Sequence, residues 1–289
     1  MVQPKIGTVV LNYKTYRDAL DCVASLKAQS YPNHEIVVVE NGSGNESAQV
    51  LKEAFADDPQ VHLIISEENL GFARGNNLGI RHAHETLGCD YVFVLNSDTI
   101  VPDGVFAAVL AADAPDIGAI SPSVAATDGK LQLPSENSDD ILLQVKRREK
   151  GLRLARVLSL PIVRDLYRAY CAKKPPQPEP EYPERLGKYV LQGCSYFLTP
   201  AFFRYYTQLY PKTFLYWEEI DLLLYLQKAG LHSVAVSTPP IVHKEAGSIK
   251  TAVGAAQYDR RKLQFSLDSY RASKPMFKMS CEQIQKNYC

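Results

Sequence analysis

A carboxylate placed directly after an apolar run is the first feature of this sequence that suggests chemistry. The stretch 90–99 reads DYVFVLNSDT, in which the predicted strand Tyr91–Leu95 is followed at once by Asn96, Ser97 and Asp98. In an open parallel sheet, ligands bind beyond the carboxyl ends of the strands, where a carboxylate can hold a metal ion and a phosphate. Asn-Ser-Asp is also a common turn sequence, and taken alone the two interpretations are equally good.

The second half of the chain contains an acidic cluster and an isolated histidine. Glu218, Glu219 and Asp221 follow the single tryptophan of the sequence. On a helix Glu218 and Asp221 share one face, whereas Glu219 points elsewhere. The macrodipole also favours acids at any helix N-terminus, which is an alternative explanation. His243 follows the short apolar run Ile241-Val242, and a lone histidine of this kind is more often structural than a ligand.

Polar or glycine-rich loops follow the other predicted strands of the first hundred residues. They are Asn12-Tyr13, Glu40-Asn41 and the segment 69–77, NLGFARGNN. Such loops can present backbone N–H groups and amide side chains to a flat ligand and its phosphates. The sequence has neither Gly-x-Gly-x-x-Gly after the first strand nor Gly-x4-Gly-Lys-Ser/Thr, so dinucleotide oxidoreductases and P-loop kinases lose their main signal.

The elements that must position these residues alternate between strand and helix. The helix Asp18–Ala28 has helical apolar spacing, and Ser43 with Glu46 predicts a capping box for the next helix. Four β/α alternations in under 100 residues predict an α/β fold with a doubly wound, mostly parallel sheet flanked by helices. The predicted strands are Ile6–Leu11, Glu35–Val39, Val61–Ile65 and Tyr91–Leu95.

Composition is that of an ordinary soluble enzyme. Apolar residues are 46% of the 289, charged residues are 22%, and 32 Lys+Arg balance 32 Asp+Glu, so net charge gives no reason to expect nucleic acid. The absence of a basic leader and of an apolar run of about 20 residues predicts a cytoplasmic protein. Six cysteines without a Cys-x-x-Cys pair argue against structural zinc and a disulfide framework.

A basic region interrupts the alternation between residues 122 and 188. Its central part, Ile141–Lys174, holds ten basic residues against two acids, with apolar residues near helical spacing. This pattern predicts a basic amphipathic helix that breaks at Pro161, although a solvated helix pair packed on the sheet explains it equally well. The proline-rich run Lys174–Pro180 predicts a stiff connector.

Four segments taken together resemble a known family. VVLNYKTY, EIVVVENGS, NLGFARGNN and YVFVLNSDT, in this order and spacing, are similar to the donor half of family 2 glycosyltransferases of the GT-A fold, particularly the branch of bacterial rhamnosyltransferases and other polysaccharide-building enzymes. The resemblance covers residues 5–105 strongly and parts of 188–250. It implies a donor-binding half at 1–121, a helical, basic insertion at 122–188, and an acceptor-binding and catalytic-base half at 189–289, within one continuous domain.

The resemblance also implies roles for individual residues. Asn96-Ser97-Asp98 corresponds to the family's Asp-x-Asp with Asn in the first place, which leaves Asp98 as the ligand of Mg²⁺ or Mn²⁺, with His243 completing the site. Glu219 stands where the second acid of a Glu-Asp motif is the catalytic base, beside Glu218 and Asp221. The implied donor-binding residues are Asn12, Tyr13, Glu40 (where the family usually has Asp), Asn41, Asn69, Arg74, Gly75, Asn76, Asn96 and Ser97.

The function implied is an inverting transfer of a sugar from a UDP- or dTDP-linked donor to a hydroxyl of a growing, lipid-linked bacterial surface glycan such as a capsule or O-antigen. The basic region Ile141–Lys174 would contact the inner face of the cell membrane, and no nucleic acid is expected. One alternative is a non-catalytic sugar-nucleotide or glycan-binding module, which the departures at Asn96 and Glu219 favour. The other is a nucleotidyltransferase, which needs a glycine-rich basic loop that VVLNYKTYRD lacks.

Overall fold

The computed structural model describes residues 3–134, 136–158, 160, 186–244 and 255–289. Its first half alternates strands and helices as the periodicity predicts. The strands are β1 (Ile6–Asn12), β2 (His34–Asn41), β3 (Val61–Ser66) and β4 (Tyr91–Asn96). The helices between them are α1 (Tyr16–Lys27), α2 (Ser47–Ala54) and α3 (Phe72–Arg81), and α3 continues into a π-helical turn, His82–Thr86.

The remaining elements are more irregular in length and direction. They are β5 (Thr99–Ile100), α4 (Val105–Ala111), β6 (Ile117–Ala126), β7 (Glu136–Ser138), α5 (Ile141–Leu158), β8 (Tyr189–Leu191), β9 (Ser195–Leu198), α6 (Pro200–Phe203), α7 (Glu218–Lys228), β10 (His232–His243), α8 (Ala255–Phe277) and α9 (Cys281–Tyr288).

One eight-stranded sheet joins both halves of the chain, in the order β3-β2-β1-β4-β9-β6-β10-β5. The pairs β3-β2, β2-β1, β1-β4 and β6-β10 are parallel. Strand β9 lies between β4 and β6 and runs antiparallel to both, with Val94 opposite Tyr196 and Ile120 opposite Phe197. The predicted α/β class with a mostly parallel sheet is confirmed.

Helices cover both faces of this sheet because successive residues of a buried strand point to opposite sides. In β1, Val9 belongs to the apolar layer that includes Ile220 of α7, whereas Val10 belongs to the layer that includes Val23 of α1 and Phe106 of α4. Parallel strands buried on both faces account for the continuous apolar runs that predicted them.

Two glycines let α3 pack closely on the sheet. A Cβ on Gly79 would collide with Val9, and a Cβ on Gly75 would approach Leu11 and Asn41. Farther along, Asn77 exchanges two hydrogen bonds with the backbone of Leu209, at 2.9 and 2.8 Å. The helix is thereby fixed to both halves of the chain, and its N-terminal loop is held at the carboxyl edge of β1 and β2.

Two local predictions have different outcomes. The capping box is wrong: α2 begins at Ser47 without a side-chain cap, and the Ser43 hydroxyl instead accepts a hydrogen bond from the Lys14 backbone N–H at 2.8 Å. The helix in the basic region is confirmed as α5. Residues 161–185, which include the predicted break at Pro161 and the connector Lys174–Pro180, lie outside the described residues. Among the helices described, none has the length and apolarity required to span a bilayer.

Candidate active site

A cleft of about 380 Å³ opens at the carboxyl ends of β1, β2 and β4. Because these strands are parallel neighbours, their terminal loops meet at one edge of the sheet. The structure brings together there six of the residues predicted from the sequence: Tyr13, Asn41, Asn69, Asn96, Ser97 and Asp98.

Asn41 shapes the wall of the cleft. Its amide group donates to Gly71 O at 3.1 Å and to Asn69 Oδ1 at 3.2 Å, and its oxygen accepts from Leu70 N at 3.1 Å. Gly71 has a φ of 80°, a conformation that glycine adopts without strain. The loop before α3 is therefore held in one conformation by an asparagine that is itself 2% exposed.

The other predicted donor-binding residues do not line this cleft. Asn12 and Glu40 are buried, and Glu40 accepts a hydrogen bond from Ser43 N at 2.9 Å. Gly75 and Asn76 lie buried within α3. Arg74 lies on the surface, where its Nη2 atom is 4.0 Å from Glu68 Oε1. Glu40 thus orders the loop after β2, and the donor-binding roles of these five residues stay predictions.

The far wall of the cleft comes from the second half of the chain, which the sequence did not associate with the donor. Phe214 stacks on Phe265 of α8 with ring centroids 5.3 Å apart, and Phe72 N donates to Phe214 O at 2.7 Å. Arg261 of α8 and Lys14 also line the cleft. Two cations and one carboxylate, Asp98, give a cleft suited to a negatively charged ligand and a metal ion.

Asp98 is paired with His243, as the resemblance implied. The Nε2 atom of His243 lies 3.3 Å from Asp98 Oδ1, and its Nδ1 atom lies 3.4 Å from Gln132 Oε1. The antiparallel pairing of β5 with β10 sets Thr99 opposite His243, and Lys244 N donates to Asp98 O at 2.9 Å. The backbone of β10 therefore positions the histidine beside the strand-end carboxylate.

The surroundings of His243 favour its charged form. Burial lowers the pKa of the imidazole, but hydrogen bonds to Asp98 and Cys194 outweigh this effect and raise the pKa to about 10. At neutral pH and without a metal ion, His243 is therefore an imidazolium bound to a carboxylate.

Asp98 and His243 fit a divalent cation that also binds phosphate. The side chains of Asp98 and His243 are 13% and 17% exposed, and Gln132 orients the imidazole so that Nε2 faces the carboxylate. Within the described part of the chain, no three His, Cys, Asp or Glu side chains form a metal cluster. Two protein ligands match a cation such as Mg²⁺, which is commonly held by one or two side chains plus substrate phosphates and water.

The acidic cluster at the start of α7 separates into two groups, as the helical spacing predicts. Glu218 and Asp221 point into the protein, where burial raises the pKa of each carboxyl well above its ordinary value. Ser273 of α8 donates to Asp221 Oδ2 at 2.7 Å. Arg148 of α5 lies over the Trp217 ring, 5.4 Å from its centroid, and its charge lowers both pKa values slightly. Burial therefore disfavours the charged form of both acids.

Glu219 has a different environment from its neighbours. It is only partly buried, and its carboxylate lies against Gly193, where any side chain would collide with it. Tyr216 and Trp217, just before it, have φ values of 63° and 87°, a left-handed conformation that costs free energy for non-glycine residues. This strained turn aims Glu219 at the turn Gln192–Ser195, whose residue Cys194 accepts a hydrogen bond from Asn96 N at 2.9 Å.

The family model that matches this sequence is "Glycosyl transferase family 2", over residues 8–161, which is more than half of the chain. The chain belongs to this family. The predicted GT-A fold is also confirmed by a solved structure, the mannosyltransferase PcManGT of Pyrobaculum calidifontis in complex with GDP-Man and Mn²⁺. The alignment covers 100% of this chain and 71% of PcManGT, with a TM-score of 0.56 and 15% identity. The fragment 1–349 of S. aureus TarS, solved with UDP, aligns with a TM-score of 0.50 and 13% identity. The alignment covers 83% of this chain and 60% of the TarS fragment.

Two sequence relatives each match about a third of this chain. Glycosyltransferase GlyG of Streptococcus pneumoniae is 30% identical over 100 residues, which is 35% of this chain and 32% of GlyG. The low-salt glycan biosynthesis hexosyltransferase Agl10 of Haloferax volcanii is 31% identical over 93 residues, 32% of this chain and 27% of Agl10. This chain therefore covers about a third or less of the length of either relative.

Proposed function

We propose that this chain is a metal-dependent, inverting glycosyltransferase that moves a hexosyl or rhamnosyl group from a UDP- or dTDP-linked donor to a hydroxyl of a growing glycan. The observation that carries the proposal is the Asp98–His243 pair at the edge of a cleft whose walls hold Lys14 and Arg261. Family membership and the fold shared with PcManGT, which was solved with GDP-Man and Mn²⁺, support a nucleotide-sugar donor and a divalent cation.

Each part of the site serves one requirement of the transfer. Asn41 and Asn69 hold the loop that borders the nucleotide, and the rings of Phe214 and Phe265 offer an apolar surface to it. Asp98 and His243 hold the cation, Mg²⁺ or Mn²⁺, which when bound neutralises charge on the departing diphosphate. Lys14 and Arg261 stabilise the same negative charge from the opposite walls of the cleft.

Glu219 is the proposed catalytic base. An alcohol is a weak nucleophile, and a carboxylate that removes its proton as the new bond forms increases the rate. Glu219 is the member of the acidic cluster that is only partly buried, whereas Glu218 and Asp221 are buried. One displacement at the anomeric carbon by a base-activated hydroxyl inverts its configuration.

A donor panel tests this function against the two alternatives. We expect purified protein with Mn²⁺ to hydrolyse one of the UDP-, dTDP- and GDP-linked sugars slowly, releasing nucleoside diphosphate, and to lose this activity in EDTA. Release of inorganic pyrophosphate from a nucleoside triphosphate and a sugar phosphate would instead establish a nucleotidyltransferase. Tight nucleotide-sugar binding without any hydrolysis or transfer to added glycans would establish a binding module.

The proposed location is cytoplasmic, at the inner face of the cell membrane, where a lipid-linked acceptor would lie. Helix α5 supports it, because the helix buries Ile141 and Val145 and turns the opposite face outward. That outer face places the exposed apolar residues Leu143, Leu154 and Val157 among the exposed cations Lys146, Arg147 and Lys150. Apolar side chains between cations are typical of helices that lie on anionic lipid surfaces.

Neutralising two of these cations is expected to weaken binding to anionic vesicles. Each Lys near such a surface contributes about 1 kcal/mol, so the double variant Lys146→Gln/Lys150→Gln should bind about 30-fold more weakly in flotation assays. The variant Lys52→Gln/Lys286→Gln removes the same charge from exposed positions on α2 and α9 and should bind normally. Absence of binding at low salt, or binding that persists in molar salt, would contradict the electrostatic proposal.

A further inference from the structure

A second cavity, of about 470 Å³, lies apart from the donor cleft and has no role in the function proposed so far. It is bounded by β6 and β10, by the segment that follows β6, and by the turn after β8. The residues that define its chemistry are Ser121, Ser123, Gln132, Gln192, Val234 and Val236.

The turn Gln192–Ser195 connects this cavity to both parts of the candidate active site. It is closed by a hydrogen bond from Ser195 N to Gln192 O at 3.1 Å. Gln192 lines the cavity, Gly193 contacts the Glu219 carboxylate, and the Cys194 thiol interacts with His243. Three consecutive residues therefore touch the cavity, the proposed base and the proposed metal ligand in turn.

A second connection runs through Gln132. Its Oε1 atom lies 3.4 Å from His243 Nδ1 and accepts from Gln192 Nε2, also at 3.4 Å. Gln132 thus belongs to the cavity wall and to the surroundings of the metal site at once. A ligand in the cavity would lie one side chain away from His243.

The cavity wall is uncharged. None of its described lining residues is Asp, Glu, Lys, Arg or His, whereas the donor cleft is lined by Asp98, Lys14 and Arg261. Burying an unpaired charge in such surroundings is costly, so a phosphate or carboxylate is a poor occupant. Serine hydroxyls and amide groups beside valine and proline surfaces suit a ligand that combines hydroxyl groups with C–H faces, as a neutral sugar does.

Gln192 also has an unsatisfied acceptor. The side chain is 8% exposed, and its Oε1 atom has no hydrogen-bond partner in the described structure. A buried carbonyl without a donor costs about 1–3 kcal/mol, so a hydroxyl that reached it after a small rotation would be favoured.

We infer that this cavity binds the uncharged sugar unit of the acceptor, at the end that receives the new residue. The inference rests on the proposed function and adds to it the place and the chemical class of the acceptor. A sugar held there has its hydroxyl groups beside the turn that Glu219 contacts.

A variant that blocks the opening of the cavity tests the inference by a binding measurement that needs no catalytic activity. Ser237 is an exposed lining residue, so Ser237→Trp is expected to fold normally and to occupy the opening. The probes are octyl glycosides of a neutral hexose, an N-acetylhexosamine and a 6-deoxyhexose. Saturation-transfer NMR measures their binding in the presence of UDP and Mg²⁺. We expect one glycoside to bind the parent protein and at least tenfold more weakly to Ser237→Trp, with UDP affinity unchanged.

The matched control is Ala56→Trp, which adds the same ring at an exposed position outside both cavities. Equal glycoside binding to all three proteins, or no binding of any glycoside to the parent, would overturn the inference. A parallel loss of UDP affinity in Ser237→Trp would also overturn it, since the cavity would then belong to the donor site. Failure of the parent to bind UDP would contradict the proposed function itself, while the glycoside result would still decide whether the cavity holds a sugar.

Discussion

Replacing Glu219 with Gln is expected to lower turnover by about 10²–10⁴-fold, the usual contribution of a general base. Gln has nearly the same shape as Glu but does not accept the proton of the attacking hydroxyl. Because the base acts on the acceptor in the transition state, kcat should fall while the affinity for donor stays nearly constant. Steady-state kinetics with a transferable acceptor, combined with calorimetry of nucleotide binding, measures both quantities.

Glu218 and Asp221 provide controls within the same turn of helix. Burial raises the pKa of both carboxyls well above the ordinary value, and the amides of Glu218→Gln and Asp221→Asn resemble the protonated forms that burial favours. Turnover should change far less in these variants. A larger loss of turnover in Glu218→Gln than in Glu219→Gln would move the base by one position.

The two buried carboxyls also predict a pH dependence of stability. A carboxyl whose pKa is raised by folding stabilises the folded state at pH below its unfolded pKa, and this contribution is lost as the pH rises towards the folded value. The thermal midpoint of the parent should therefore fall between pH 5 and pH 8 by more than that of Asp221→Asn. Equal decreases in both proteins would show that Asp221 is ionised in the folded state.

The second large effect is expected for Asp98→Ala, which should abolish the metal-dependent part of nucleotide binding. Removing a residue that only orients a metal ligand typically costs 10–100-fold in affinity, so loss of the carboxylate ligand itself should exceed about 100-fold. Asp98 lies at a strand end outside the apolar core, so the variant should fold, with a lower thermal midpoint because His243 loses its partner. Titration calorimetry of UDP with and without Mn²⁺ gives the metal-dependent difference directly.

Two further measurements sharpen this test. Asp57→Ala removes an exposed acid outside the cleft and should bind nucleotide and metal as the parent does. In the parent, His243 retains its proton because hydrogen bonds to Asp98 and Cys194 raise its pKa to about 10. Mn²⁺ must displace that proton, so the affinity for Mn²⁺ should increase with pH between 6 and 8. An Asp98→Ala protein with the parent's Mn²⁺-dependent UDP affinity would exclude Asp98 as a ligand.

Local pattern was sufficient to predict the first half of the fold. Strands β1, β2 and β4 are buried almost throughout, so each is a continuous apolar run ended by polar residues, and those residues do meet at one edge. The edge strand β3 is only partly buried. The separation of Glu218 and Asp221 from Glu219 also follows from helical spacing alone. Ser43 shows the limit of such reasoning, because a hydroxyl that could cap its own helix instead bonds Lys14, 29 residues away.

The residues that sequence reasoning missed are those that act through distant contacts. Phe214, Phe265 and Arg261 complete the cleft only because α8 packs beside the loop before α3, and nothing near them in the sequence indicates this. Gln132 lies in a polar segment without any motif, yet it contacts His243 across more than a hundred residues. Glu40 is predicted in the donor site from a family position and that role stays a prediction, while the structure adds a contact of its carboxylate with Ser43 N in the adjacent turn.

The position of β9 between β4 and β6 has a consequence for how the chain reaches its native state. When synthesis has reached about residue 121, the residues of β1 to β4 are all present. The free edge of β4 has no pairing partner until residues 195–198 of β9 are synthesised. Such an open apolar edge is a site where other chains can add by strand pairing. Pairing β4 with β9 closes a loop of about a hundred residues, which costs conformational entropy and slows folding. The donor-binding loops are thus encoded early but become part of a complete sheet late, so chaperone protection during synthesis would matter most in that interval.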